Sequence, residues 1–433
     1  MIAGGFGSAV LVGTGLLSLP FATESGERAP LVDALFTATS AVCVTGLITV
    51  DTGGYWSTFG EVVIMALIQV GGLGIMTLAT LVTLLLAGRV GLRARLLAQA
   101  ETKTLGLRDV RRVVRNIVIF SLVCEAIVAT VLVTRFFVTY DMSFGAALYD
   151  GGFHAVSAFN NAGFSLNSDS LMGFAADPWV SGTVAAAFIT GGLGFPVVFE
   201  LLRSWRRPRE WSVVTRLTVG ATIPLLVFGT IAITVAEYSN PDTIGSLDES
   251  ARPLAGFFSA ATPRSAGFNV IDTERMSPEG YLLTDILMFV GGGSAGTAGG
   301  IKVTTFALLA FVIWAELRGD THVNVGHRRI PESTQRQAIT IALIYVGLLA
   351  VFSVSIEAMS AHDLDRTLFD ATSAVGTVGL SSGVVEDLPR LGHILITVMM
   401  FLGRIGPLTL GSALALRERA RRYELPEERP IVG

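Results

Sequence analysis

Eight stretches of this chain are long and apolar enough to cross a hydrocarbon layer of ~30 Å: 2–20, 58–87, 113–138, 177–202, 213–236, 280–316, 335–359 and 389–415. A soluble fold has no place for so many. It would need a polar skin, and only 15% of the 433 residues are Asp, Glu, Lys or Arg, against ~25% in soluble domains. Mean hydropathy is +0.61. The first stretch, from Gly4 to Pro20, lacks the basic flank of a secretory signal and reads as a retained span. Cys43 and Cys124, in apolar surroundings, offer neither a disulfide framework nor a zinc ligand set. A net charge of −4 marks neither a nucleic-acid binder nor an acidic tail, so the position of the charges carries the information.

Those positions orient the chain. Loop 89–115 holds eight basic residues, segment 203–216 five, segment 318–336 four and tail 417–429 five; these 22 of the 31 Lys and Arg fall on one side of an eight-span arrangement. The positive-inside rule makes that side cytoplasmic, with both termini, in a multi-pass membrane protein. The loops there are too short to hold a nucleotide-binding domain, so nucleotide control has to arrive on a separate chain.

Between the spans of each successive pair lies a shorter run rich in Ala, Ser, Thr, Phe and Gly: 31–48, 144–166, 252–270 and 366–383. Aligned on Gly46, Gly163, Gly267 and Gly379, each has Phe ten positions before the glycine (Phe36, Phe153, Phe257, Phe369). Ser or Ala sits six before it and a large apolar residue one after it. One unit is used four times, over residues 1–90, 91–205, 206–320 and 321–433, the last with a cytoplasmic tail. The fold class expected is an all-α membrane protein: four tandem units of outer span, re-entrant half-helix and inner span around a pseudo-fourfold pore.

Non-helical backbone at membrane depth must be buried in protein or line a watery cavity. The two turns before each glycine predict a half-helix whose negative dipole end favours a cation at the membrane middle. The extended residues that follow turn their carbonyls inward, and glycine permits the positive φ such rows require. Carbonyl rings of this kind replace the hydration shell of K+ in potassium filters, and Thr377-Val378-Gly379-Leu380 resembles a filter strand most closely. The expected K+ ligands are backbone groups of Val44, Thr45, Asn161, Ala162, Ser265, Ala266, Thr377 and Val378, beside the four glycines.

Each inner span carries a further glycine, at Gly71, Gly191, Gly291 and Gly403. In three units it reads as a kink or close-packing point. In the third it expands to Gly291-Gly292-Gly293-Ser294-Ala295-Gly296-Thr297-Ala298-Gly299-Gly300-Ile301-Lys302, too glycine-rich to stay helical at ~1 kcal/mol per Gly. The expectation is an intramembrane gating loop, 291–300, under the filter. Arg404, deep in the last span, is expected to bind loop carbonyls and to raise an electrostatic barrier; Lys302 either holds the loop in the same way or begins the cytoplasmic half-helix. Glu125 reads as an acid hydrogen-bonded within the bundle, Asp370 as a brace behind the fourth strand. Gly291-x-Gly293-x-x-Gly296 and Gly292-Gly293-Ser294-Ala295-Gly296 match nucleotide-binding and hydrolase patterns but lack the strand–turn–helix context those need, so no enzyme is expected.

With Ala38-Thr39-Ser40-Ala41-Val42-Cys43-Val44-Thr45-Gly46-Leu47, Asn160-Asn161-Ala162-Gly163-Phe164, Ser265-Ala266-Gly267-Phe268-Asn269 and Gly376-Thr377-Val378-Gly379-Leu380, the chain resembles the Trk/Ktr/HKT superfamily of potassium transporters. It looks most like the KtrB-type membrane subunits. The resemblance implies K+ uptake across a bacterial plasma membrane, commonly sodium-dependent, by a homodimer seated on a cytoplasmic KtrA- or KtrC-like RCK ring that binds nucleotide; K+ is cargo, with Na+ as a second ion and no organic cofactor. The third strand departs from a plain filter by carrying Arg264, three before Gly267; a guanidinium facing the ion would be hostile, so it is expected to point behind the filter. The rival reading is a secondary carrier moving a small solute by alternating access, which calls for paired broken helices and an acid at the substrate site.

Overall fold

The computed structural model describes residues 2–87 and 107–416; most of the basic loop and the tail 417–433 lie outside the described residues. The described chain is helical apart from one small hairpin, Asn324–Val325 with Arg328–Arg329. Its principal helices are α1 (Ile2–Leu17), α2 (Leu31–Cys43), α3 (Thr58–Ala87), α4 (Leu107–Thr139), α5 (Phe144–Phe159), α6 (Pro178–Leu193), α7 (Phe195–Ser204) and α8 (Val213–Glu237). There follow α9 (Arg252–Ala261), α10 (Pro278–Phe289), α11 (Val303–Arg318), α12 (Glu332–Glu357), α13 (Leu364–Gly376) and α14 (Arg390–Leu416).

Side-chain caps and prolines set the helix starts. Ser143 caps α5 by accepting from the Ala146 amide, and Ser277 caps α10 ahead of Pro278 at its first position. Asp177 caps α6 through the Trp179 amide at 2.9 Å and also takes the Arg135 guanidinium at 2.7 Å, tying α6 to the end of α4.

Among the described residues, four helices are long and apolar enough to cross a membrane unbroken, within α3, α4, α8 and α12, and the bent pair α6 and α7 meets the same criterion together, as a broken span or a re-entrant loop. By length and composition that makes four spans, or five with the bent pair, against the eight expected from the sequence. The stretch 280–316 is divided into α10 and α11 by the glycine-rich segment, as expected. The break in 177–202 was not expected: α6 and α7 meet at 102°. Gly194, at φ +93°, turns the chain there, and Pro196 starts the next helix.

The short helices α2, α5, α9 and α13 are longer than two turns, at 13, 16, 10 and 13 residues. They pack deep: their inner faces are wholly buried, with Phe36, Phe153, Phe258 and Phe369 among the least exposed side chains. Three of them end alike, with the amide of Thr45, Ala162 or Val378 donating at 2.8 Å to the carbonyl of Ser40, Ser157 or Ser373. That closure satisfies the last turn and reverses the chain.

The inner-span glycines explain how the layers approach. A Cβ at Gly71, Gly191 or Gly403 would collide with the carbonyl of Val42, Phe159 or Val375, each four residues before Gly46, Gly163 or Gly379. At Gly291 the collision is instead with Gly299, inside its own loop. Gly403→Ala and Gly191→Ala are expected to lower the unfolding temperature in detergent, with an overpacking cost of about 1–3 kcal/mol. Gly347→Ala, where a Cβ meets open space, should leave it unchanged or raise it.

Candidate functional site

The four segments after α2, α5, α9 and α13 share one unusual backbone. In each, the residue two before the glycine is left-handed, namely Val44 (φ 54°), Asn161 (60°), Ser265 (70°) and Thr377 (47°). The glycine is left-handed as well, at 94°, 71°, 77° and 98° for Gly46, Gly163, Gly267 and Gly379. Left-handed non-glycine residues are rare and persist only where surroundings over-determine them.

These segments meet in a closed cycle. A Cβ at Gly46 would lie 2.5 Å from the Ala162 carbonyl, one at Gly163 3.0 Å from that of Ala266, and one at Gly267 2.8 Å from that of Val378. One at Gly379 would collide with the carbonyl of Thr45, which returns to the first segment. Each glycine thus nestles against the carbonyl that precedes the next glycine. The wall behind is held by short hydrogen bonds: the Gly46 and Gly379 amides donate to Ser40 and Ser373 Oγ at 3.0 and 3.1 Å, while Ser157 and Thr262 donate to the Phe164 and Phe268 carbonyls. In the third segment, where Ala261 occupies the serine position, Thr262 takes over this role.

On one side the glycines open into a cavity of about 260 Å³. Asp51, Asp169, Asp272, Glu274 and Glu386 line it, with no Lys or Arg among the lining residues. Burial, and then the like charges of Glu274, Asp387 and Asp51, push the Glu386 carboxyl above its ordinary value. Such a mouth attracts cations and repels anions.

On the other side lies the glycine-rich segment. Gly299 donates its amide to Ser265 Oγ at 2.9 Å, and Ser265 Oγ donates to the Thr377 carbonyl at 2.6 Å. Thr297 donates to Asn161 Oδ1 at 2.6 Å. The Gly293 and Thr297 amides donate to the Gly192 and Gly191 carbonyls at 2.7 and 3.1 Å, so this segment caps the broken end of α6. The segment closes on itself through Gly291 to Ile301 and Val303 to Gly292, both at 2.9 Å. Ser294 Oγ pairs with Thr304 Oγ1 at 2.7 Å rather than with any base.

The buried charges divide. Lys302 donates from Nζ to the Ala298 carbonyl and holds the segment. Arg404 does not: it is 4% exposed, and Nε, Nη1 and Nη2 have no hydrogen-bond partner among the described residues, contrary to the expected contact with loop carbonyls. Gly403 packs so closely under the Val375 carbonyl that the helix is fixed in place there, and the backbone amides of the loop already engage its carbonyls. Arg264 points behind its strand, to Thr222 Oγ1 at 3.0 Å, as expected. Glu125 accepts from Gln69 at 3.0 Å and Asn160 at 3.1 Å. Asp370 accepts from Ser381 Oγ, the Ser382 amide and hydroxyl, and the Val385 amide, at 2.7–3.0 Å.

A family model described as TrkH, cation transport protein, matches residues 9–417. The chain belongs to that family. The TrkH-family chain is 40% identical over 424 residues to the Ktr system potassium uptake protein B of Bacillus subtilis, covering 97% of this chain and 93% of the relative. It is 39% identical to the protein of the same name from Vibrio alginolyticus, covering 96% and 91%. It is 34% identical to the potassium/sodium uptake protein NtpJ of Enterococcus hirae, covering 100% and 96%. Its fold is that of the solved potassium transporter TrkH of Vibrio parahaemolyticus, with TM-score 0.70, 19% identity, and 94% and 84% of the two chains covered.

Two features of this TrkH-family site escaped the sequence reading. The bend at Gly194 was signalled by Gly191-Gly192-Leu193-Gly194-Phe195-Pro196, and the acidic mouth by acids scattered over four segments that only the fold assembles. Asp370→Ala should destabilise the protein by about 3 kcal/mol, since it strands buried donors of Ser381, Ser382 and Val385; thermal unfolding in detergent measures it. Asp370→Asn, which keeps acceptor capacity on one oxygen, should cost less.

Proposed function

We propose that this chain is the ion-conducting membrane subunit of a bacterial potassium-uptake system. Four tandem units, each an outer span, a short helix with its filter strand and an inner span, surround one pore, with boundaries near residues 90, 205 and 320. The observation that carries the reading is the closed cycle of Gly46, Gly163, Gly267 and Gly379 against neighbouring carbonyls, under an acidic mouth. K+ enters from the mouth and exchanges its water shell for carbonyls of Val44, Thr45, Asn161, Ala162, Ser265, Ala266, Thr377 and Val378. The Thr377 carbonyl already accepts from Ser265, so the Thr377 level is the weaker one.

Gly291, Gly292, Gly293, Ser294, Gly296, Gly299 and Gly300, with Lys302, form the gate. Its hydrogen bonds to Ser265, Asn161, Gly191 and Gly192 keep it under the filter. Arg404, buried without a partner, adds positive charge to the path of a cation. Two copies seated on a nucleotide-binding RCK ring, both termini cytoplasmic and sodium stimulating uptake complete the proposal. It rests on the basic loops and on the similarity to the Ktr-system and potassium/sodium-uptake relatives. Solute carriage by alternating access fits less well, because the cavity at the glycines is lined for a small cation and the two acids beside the strands, Glu125 and Asp370, are hydrogen-bonded behind them.

Growth of uptake-deficient bacteria on limiting potassium tests the filter. The chain with a matching ring subunit should rescue growth, and Gly46→Ser should admit sodium as well; absence of rescue in every well-expressed combination returns the carrier reading. Arg404→Ala should raise K+ flux severalfold, and unchanged flux removes its barrier role. Glu386→Gln removes one carboxylate from the mouth and should raise the potassium concentration for half-maximal uptake. Acidifying the outside through the range just above ordinary Glu values should do the same to the unsubstituted protein, as protonation removes the attracting charge.

A further inference from the structure

A groove of about 650 Å³ runs between α8 and the two halves of the interrupted span, α10 and α11. Its walls are Phe228, Leu287, Phe306 and Phe311, and small residues such as Gly220 let it sink between the helices. Its lining is apolar except at one end, where Arg216 stands beside the Val325-Gly326 turn. The Arg216 guanidinium makes no ion pair among the described residues. Nη2 donates to the Arg209 carbonyl, Nη1 lies close to where a Cβ on Gly326 would be, and Nε is buried without a partner among the described residues. The neighbouring carboxylate, Glu200, already accepts from the Ser212 amide and hydroxyl, both at 2.7 Å, and from Thr215. Arg203, Arg206 and Arg207 add positive charge on the adjoining segment. A guanidinium whose Nε is unpartnered and whose charge Glu200 balances only from a distance, at the end of an apolar slot, is complementary to one ligand chemistry: an acyl chain with an anionic phosphate head. Arginine's planar fork matches phosphate oxygens, and basic pockets between membrane helices hold anionic head groups.

We propose that this groove is a binding site for an anionic phospholipid of the leaflet facing the basic loops, with its phosphodiester on Arg216 and one acyl chain between α8, α10 and α11. The groove touches both helices that flank the glycine loop, so the occupant biases the geometry of that loop. Lipid retention, unlike uptake, reads this site without depending on the transport reading.

The test is native mass spectrometry of the purified full chain after incubation with equal amounts of phosphatidylglycerol and phosphatidylcholine. The unsubstituted protein should retain the anionic lipid about fivefold better, the increment of one interfacial arginine. Arg216→Gln should bring that ratio near one, while Arg318→Gln, outside the groove, should leave it intact. Gly220→Leu, whose Cβ meets open space, fills the slot without clashing and should lower retention of both lipids. Equal retention of the two lipids by the unsubstituted protein, or a ratio that survives Arg216→Gln, overturns the proposal. So does a Gly220→Leu variant that shifts the monomer–dimer ratio and keeps its lipids, which assigns the groove to a second copy.

Discussion

Everything at the centre of this molecule depends on satisfying backbone groups where no water reaches them. An unpaired amide or carbonyl in such a place costs several kcal/mol, which is why spanning segments are ordinarily unbroken helices. Two spans here are broken, and the breaks complement one another. Ending α6 at Leu193 leaves its last carbonyls without helical partners, and the amides of Gly293 and Thr297 supply them. The glycine-rich segment in turn has its own ladder, Gly291 to Ile301 and Val303 to Gly292. Neither break is tenable without the other.

The same constraint shapes the cycle of glycines above. Carbonyls that face a shared axis have no helical donors, so their strands are fixed from behind, by Ser40, Ser373, Ser157, Thr262 and the four-bonded Asp370. Close approach comes from missing side chains at two levels: the glycines of the cycle, and Gly71, Gly191 and Gly403 beneath the carbonyls of the short helices. Methyl groups at either level would push the strands apart.

The membrane class, the short helices, the glycine register and the loop were legible because each leaves a periodic or compositional mark: an apolar length, a repeated Phe and Gly, six glycines within ten residues. Asp370 and Arg264 were legible because a buried charge near a strand has few places to go. What was not legible depends on tertiary contacts. Arg404 lies at the depth that sequence suggests, yet the donors that meet the loop are amides and Lys302, and which group wins is decided by distances of an ångström. The bend at Gly194 was hidden because glycine is common in tightly packed membrane helices, and only the positive φ distinguishes a break from a contact. The acidic mouth needs residues from four distant segments, a proximity no local pattern records.

A ring assembled from four identical chains repeats every substitution four times, whereas here each quarter is a different stretch of a single polypeptide. The residues that precede its glycines are already unlike, Thr45, Ala162, Ala266 and Val378, and so are the supports behind them. One quarter can therefore differ while the other three keep the cycle closed. In the third quarter alanine stands where the other three have serine, an arginine lies behind the strand, and a loop interrupts the inner helix. Asymmetry of this degree is open to a gene that encodes its whole ring once, and closed to one whose product must assemble from copies.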